Sequence, residues 1–279
     1  MKPLTHEKPA GTGHGHSHSP DKGITIMLAS AALIGPVYFL AQTNESFLYL
    51  LSNGLPPLLA SAVFVIAAAG LLRNGVKTND RVSLVWLGCS VGVLFWLLGE
   101  STWAVYTLWY SVPIPFPSPA DGFWLVGYIP FMSAVLIQSW PFREFFKSRK
   151  MLAVILAVFI VAGSLLWALI PATYASEIRD SLVNVVVSLA YPLLDVALLV
   201  VSLPVLFLFG KGGFWRPFLF VIIGFILALF GDILFTWATL NSVYYDGSYL
   251  ELFFHWSYLA FAYGFYLRFR AGIRANMLA

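Results

Sequence analysis

The run Val82-Ser-Leu-Val-Trp-Leu-Gly-Cys-Ser-Val-Gly-Val-Leu-Phe-Trp-Leu-Leu-Gly-Glu-Ser-Thr-Trp-Ala-Val-Tyr-Thr-Leu-Trp-Tyr110 holds one charged side chain, Glu100. Roughly 20 apolar residues cross the hydrocarbon core of a bilayer as a helix, and this run exceeds that length. A soluble amphipathic helix would carry charges down one face. Similar runs fall at about 24–42, 47–72, 120–140, 151–171, 181–209, 215–240 and 249–270, making eight with 82–110. They are continuous rather than alternating, so spanning helices and not barrel strands are expected.

Composition leads to the same class. The chain has 279 residues, 59% hydrophobic and 10% charged, with a mean hydropathy of +0.82. Soluble domains carry about 25% charged residues, so a water-soluble fold is excluded. The net charge of +3 is small. No basic patch with interleaved aromatics points to nucleic acid. Cys89, the single cysteine, can form no internal disulfide and no cysteine metal cluster.

The positions of the basic residues orient the spans. Lys2, Lys8 and Lys22 precede the first; Arg73, Lys77 and Arg81 lie between the second and third. Arg143, Lys147, Arg149 and Lys150 follow the fourth, Lys211 and Arg216 the sixth, and Arg268, Arg270 and Arg274 the last. Only Arg179 falls on the opposite side. The expectation is an all-α, multi-pass cell-membrane protein of eight helices embedded in the lipid bilayer, with both termini cytoplasmic. Phe39 stands where signal cleavage would need a small residue, so the first span is expected to be retained.

The chain matches itself at an offset of about 130 residues. Gly92, Gly99 and Glu100 parallel Gly224, Gly231 and Asp232; Ser118, Asp121 and Tyr128 parallel Ser248, Glu251 and Tyr258. Pro57-Leu-Leu-Ala60 parallels Pro192-Leu-Leu-Asp195. Four spans return a chain to its starting side, so the halves form a parallel repeat. The expected organisation is a polar tail over 1–23, a four-helix repeat over 24–145 and a second over 146–279. The tail carries His14, His16 and His18, a weak candidate for metal binding.

A charged group within a bilayer costs roughly 2.5–3.5 kcal/mol on insertion scales, so each needs a reason. Ser118-Pro-Ala-Asp121 and Ser248-Tyr-Leu-Glu251 both read as capping boxes at the outer start of a span. Glu100, Asp195 and Asp232 lack that explanation, and no Lys or Arg lies near them within a span. They are protonated, hydrated, cation-bound, or hydrogen-bonded to groups such as Trp103, Tyr106, Trp237 and Tyr258. With His255 they form the candidate ligand, proton or cation site. Aromatic residues crowd toward the outer face, partly as an interfacial belt and partly as walls for an apolar or cationic ligand. The sequence names no cofactor.

Pro117-Ser-Pro-Ala-Asp121-Gly-Phe-Trp-Leu125 with Tyr128-Ile-Pro130, Tyr191-Pro-Leu-Leu-Asp195, Gly231-Asp232 and Tyr245-Asp-Gly-Ser248 resembles the multi-span sensor domains of bacterial cyclic-di-GMP signalling proteins, which precede GGDEF and EAL output domains. The resemblance covers most of 40–270 and implies a membrane-embedded input module. Only nine residues follow Arg270, so signalling through a separate membrane or cytoplasmic partner is expected. Glu251 also stands where that family usually has Asp.

Two other classes compete with this non-enzymatic sensory reading: an accessory subunit of a larger membrane complex, and a transporter of a proton, cation or small solute. Tyr191, Asp195 and Gly231-Asp232 are also faintly similar to intramembrane aspartyl proteases. Leu229 breaks their Gly-x-Gly-Asp element, and counting 1.5 Å per residue from the span ends places the two aspartates some 15 Å apart in depth.

Overall fold

The computed structural model describes residues 21–175, 182–208 and 215–277. His14, His16 and His18 lie outside the described residues. Eight α-helices follow in order: α1 (Lys22–Ala41), α2 (Glu45–Asn74), α3 (Arg81–Ala104), α4 (Pro119–Ser139), α5 (Arg149–Ala175), α6 (Leu182–Leu208), α7 (Trp215–Leu240) and α8 (Leu252–Met277). These ranges lie within a few residues of the apolar runs, and the described residues contain no strand.

Polar side chains start the helices. Asp21, Asn44 and Asp80 accept from Gly23, Phe47 and Ser83 amides at 3.1, 3.0 and 3.1 Å, satisfying donors that a first turn leaves open. α3 ends in a π-helical turn, Val105–Trp109. A 3-10 segment, Trp140–Lys147, links α4 to α5.

Among the described residues, six helical segments are long and apolar enough to cross a membrane: Lys22–Ala41, Glu45–Asn74, Arg81–Trp109, Pro119–Lys147, Leu182–Val205 and Arg216–Thr239. Their outward faces are apolar; Leu72 is 86% exposed. The interior instead holds polar groups, Asp195 and His255 among them. This arrangement suits a lipid surround and identifies a multi-pass, all-helical membrane protein. α5 and α8 are not among the six. Tyr and Trp side chains, together with His255, Arg268 and Arg270, lower the hydropathy of α8.

α3 packs along α4, and α7 along α8. α2 lies against α3 and α8, and α6 against α7 and α4. α1 flanks α8, and α5 flanks α6 and α7. The tightest seams lie where glycine meets an aromatic ring: a Cβ on Gly92 would fall 2.7 Å from the Phe131 ring, and one on Gly224 2.6 Å from Phe261. The Trp96 ring sits among Tyr128, Phe131, Tyr258 and Phe261, with centroids 5.0–6.5 Å away. It joins α3 and α4 to α8 in one core.

Candidate functional site

Between these helix groups lies a cavity of about 350 Å³. Its walls come from α2, α3, α4, α6, α7 and α8, and the segments Ile114–Phe116 and Tyr244 lie at its edge. Glu100, Asp121, Asp232 and Glu251 line it, and among the described residues no Lys or Arg does.

Each lining carboxyl meets a tyrosine. Tyr258 on α8 donates to Glu100 Oε1 at 2.7 Å, across from α3. Tyr128 on α4 lies 3.4 Å from Asp232 Oδ2 on α7. Tyr191 on α6 donates to Asp121 Oδ1 at 2.8 Å, and Tyr244 to Glu251 Oε1 at 2.9 Å. Phenol hydroxyls thus supply the donors that no cation supplies, and such bonds hold carboxyl groups where water is excluded.

Asp195 departs from its expected depth. Tyr128 donates to Asp195 Oδ1 at 2.8 Å while its hydroxyl also lies 3.4 Å from Asp232 Oδ2, so one phenol bridges the two aspartyl groups. The 15 Å separation expected from the sequence is therefore corrected: the two carboxyl groups flank a single hydroxyl. That count assumed a 30 Å span, whereas α6 and α7 each run about 40 Å at 1.5 Å per residue. Measured on the actual helices, Asp195 and Asp232 differ by only about 6 Å along the axis, which side chains and helix tilt close. Asp195 is fully buried behind the wall; Asp232 faces the cavity.

The two capping elements also differ. Ser118 and Asp121 form the reciprocal box: Ser118 Oγ accepts from the Asp121 amide at 3.4 Å, and Asp121 Oδ2 accepts from the Ser118 amide at 2.6 Å. Ser248 caps only Leu250, at 3.4 Å, ahead of a 3-10 turn over Tyr249–Glu251. The Glu251 carboxylate turns elsewhere, taking the Gly247 amide at 2.8 Å, Ser52 Oγ at 2.8 Å and Tyr38 at 3.0 Å besides Tyr244. The expected second box is thus replaced by an interhelical hub joining α1, α2 and the start of α8. Gly247 serves it with φ +86°, and a Cβ there would collide with the Leu48 side chain.

His255 belongs to this hub. Its Nδ1 lies 2.6 Å from the Glu251 carbonyl, which only accepts, so Nδ1 carries the hydrogen. The Tyr38 hydroxyl lies 3.0 Å from both His255 Nε2 and Glu251 Oε2, and its one proton serves one of them. Its ring is 1% exposed and stands at the cavity wall.

Trp103 and Tyr258 reach the cavity as expected; Tyr106 and Trp237 do not line it. Trp103 also donates to Asn53 Oδ1 at 2.8 Å. Helical phase explains the split. At about 100° per residue, Trp103 lies three positions from Glu100 on the same face, whereas Trp237 lies five from Asp232 and Tyr106 six from Glu100. Trp237 is 47% exposed, and Tyr106 stacks edgewise on Tyr110. Sequence reasoning missed Tyr38, Ser52, Trp96 and Ser257. Tyr191 did carry a signal, since it stands four residues before Asp195.

In the loop beside this site, burial pushes the Asp246 carboxyl above its ordinary value, opposed by a hydrogen bond from Asn53. Among the described residues no three His, Cys, Asp or Glu side chains gather as a metal site. Compared with known proteins, the chain matches no family model, no curated protein and no solved structure.

Proposed function

We propose that this protein is a non-enzymatic sensory module. It would bind a ligand in the cavity and hand the resulting change to a separate membrane or cytoplasmic partner. In this reading eight helices span the cell membrane as two four-helix repeats, with both termini cytoplasmic and the cavity toward the outer side. The resemblance to cyclic-di-GMP input domains supports the class, since its quoted residues Asp121, Trp124, Tyr128, Tyr191 and Asp232 are among those that line the cavity.

The observation that carries the proposal is the paired cross-contact at that cavity. Tyr258 reaches from α8 to Glu100 on α3, and Tyr128 from α4 to Asp232 on α7. Both residues of one contact match those of the other under the sequence repeat. The packing of α2 on α3 and α8, and of α6 on α7 and α4, follows the same exchange. A ligand between these contacts bears on both halves at once, so binding shifts one relative to the other through its differential contacts.

Gentle extraction from native membranes with mass-spectrometric identification of stoichiometric partners tests this. A kinase, cyclase or taxis protein is the expected companion, with its response abolished by Glu100→Gln or Asp232→Asn in folded protein. A normal response in both variants contradicts it. Subunits of a catalytic assembly would instead identify an accessory role. A second reading, transport of a proton or cation, is favoured by the Tyr128 hydroxyl that Asp195 and Asp232 share; Asp195→Asn blocking uptake into vesicles would establish it.

A further inference from the structure

Four carboxyl groups face one cavity whose walls contain no Lys or Arg among the described residues, and the His255 ring there is turned to the Glu251 carbonyl and Tyr38. Buried acids left together in that way call for positive charge or protons. The wall between them is aromatic: Trp96, Trp103 and Trp124 stand with the tyrosines that hold the acids. Ring faces attract cations, and quaternary and protonated amines are the ligands that such cages suit.

A second observation is independent of the acids. Ser257 on α8 is 2% exposed, lines the cavity, and its hydroxyl has no hydrogen-bond partner among the described residues. An unmet buried hydroxyl costs about 1–3 kcal/mol. Its neighbours on α8 have partners: His255 Nδ1 meets the Glu251 carbonyl, and Tyr258 meets Glu100. The other buried atom lacking a donor, Asp195 Oδ2, stands beside the Asp232 carboxyl rather than in the cavity. Ser257 is the polar group that the protein leaves for something else to meet.

We propose that the cavity takes a small organic cation, an ammonium group on an apolar body, with the charge near Glu100 and Asp232, the body against the tryptophans and an N–H donated to Ser257. A bare metal ion fits less well, because among the described residues no three ligating side chains converge on one point. The volume of about 350 Å³ is that of a molecule rather than an ion. A neutral apolar molecule would meet the rings but supply no positive charge to the hydrogen-bonded acids and no partner to Ser257.

This inference rests on the ligand-binding reading above, and the test separates the two. The full chain in lipid nanodiscs is titrated by calorimetry with 2-phenylethylammonium and with its neutral counterpart 2-phenylethanol. The expected result is at least tenfold tighter binding of the ammonium compound. That preference falls to within about twofold in Glu100→Gln and Asp232→Asn, and ammonium binding weakens several-fold in Ser257→Ala. Equal affinities in the wild type, or an unchanged preference in the acid variants, overturn the cation inference and leave a ligand site standing. Absence of binding by either compound overturns both. Should the acid variants not fold, the wild-type preference and Ser257→Ala decide the question.

Discussion

Tyr128 on α4 places one hydroxyl 2.8 Å from Asp195 on α6 and 3.4 Å from Asp232 on α7, so a single phenol ties three helices through two acids. Removing that hydroxyl leaves buried carboxyl oxygens without their donor, which costs about 1–3 kcal/mol. Tyr128→Phe is therefore expected to lower thermal stability in detergent. In a double-mutant cycle with Asp195→Asn the two losses should couple by more than about 0.5 kcal/mol, as for groups in one network. Additive losses would show that the contact carries little energy.

The glycine seams predict a matched pair of effects. Gly92→Ala and Gly224→Ala each drive a methyl into a fully buried phenyl ring, Phe131 or Phe261, that neighbouring rings hold in place. Overpacking of that kind costs about 1–3 kcal/mol. Similar losses at both positions are expected, measured as unfolding midpoints. Gly122→Ala, at an exposed position of α4, meets nothing within 4 Å and is expected to be neutral, or stabilising by up to about 1 kcal/mol.

The unequal caps predict unequal serines. Ser118→Ala removes the acceptor for the Asp121 amide and breaks the reciprocal box, at a cost of about 1 kcal/mol. Ser248→Ala removes one long bond to Leu250 and leaves the Glu251 hub intact, so a smaller loss is expected. Thermal melts of the two variants side by side check the order.

How far the sequence reveals this site depends on range. The span edges follow from local apolarity, and the Ser118–Asp121 box from local spacing, so both can be read from the chain. Tyr258 was one of four aromatic partners the sequence offered to the acids, and its pairing with Glu100 follows only from the packing that brings α8 across from α3. The Glu251 hub was not, because its donors Tyr38 and Ser52 come from α1 and α2, some 200 residues away. Local spacing at Ser248 pointed instead to a cap. Asp195 and Asp232 were separated on paper by assuming helices no longer than the bilayer core. Ser257 has no sequence signature, since an unmet hydroxyl exists only once the helices are packed.

Asp246 gives a pH dependence. Burial raises its carboxyl, so the folded chain holds that proton more tightly than the unfolded chain. Its contribution to stability is present below the ordinary carboxylate value and is lost as pH rises from there through the raised value. Asp246→Asn removes this step. Unfolding midpoints across the acidic range should therefore fall less steeply with rising pH in the variant than in the wild type.

Native mass spectrometry of the protein released directly from its own membranes tests the central claim, that the cavity is a ligand site. The account predicts a small organic adduct, distinct from lipid, on the wild-type chain and its loss from a folded Glu100→Gln, Asp232→Asn double variant. A wild-type chain that carries only the lipid also found on the double variant would contradict it.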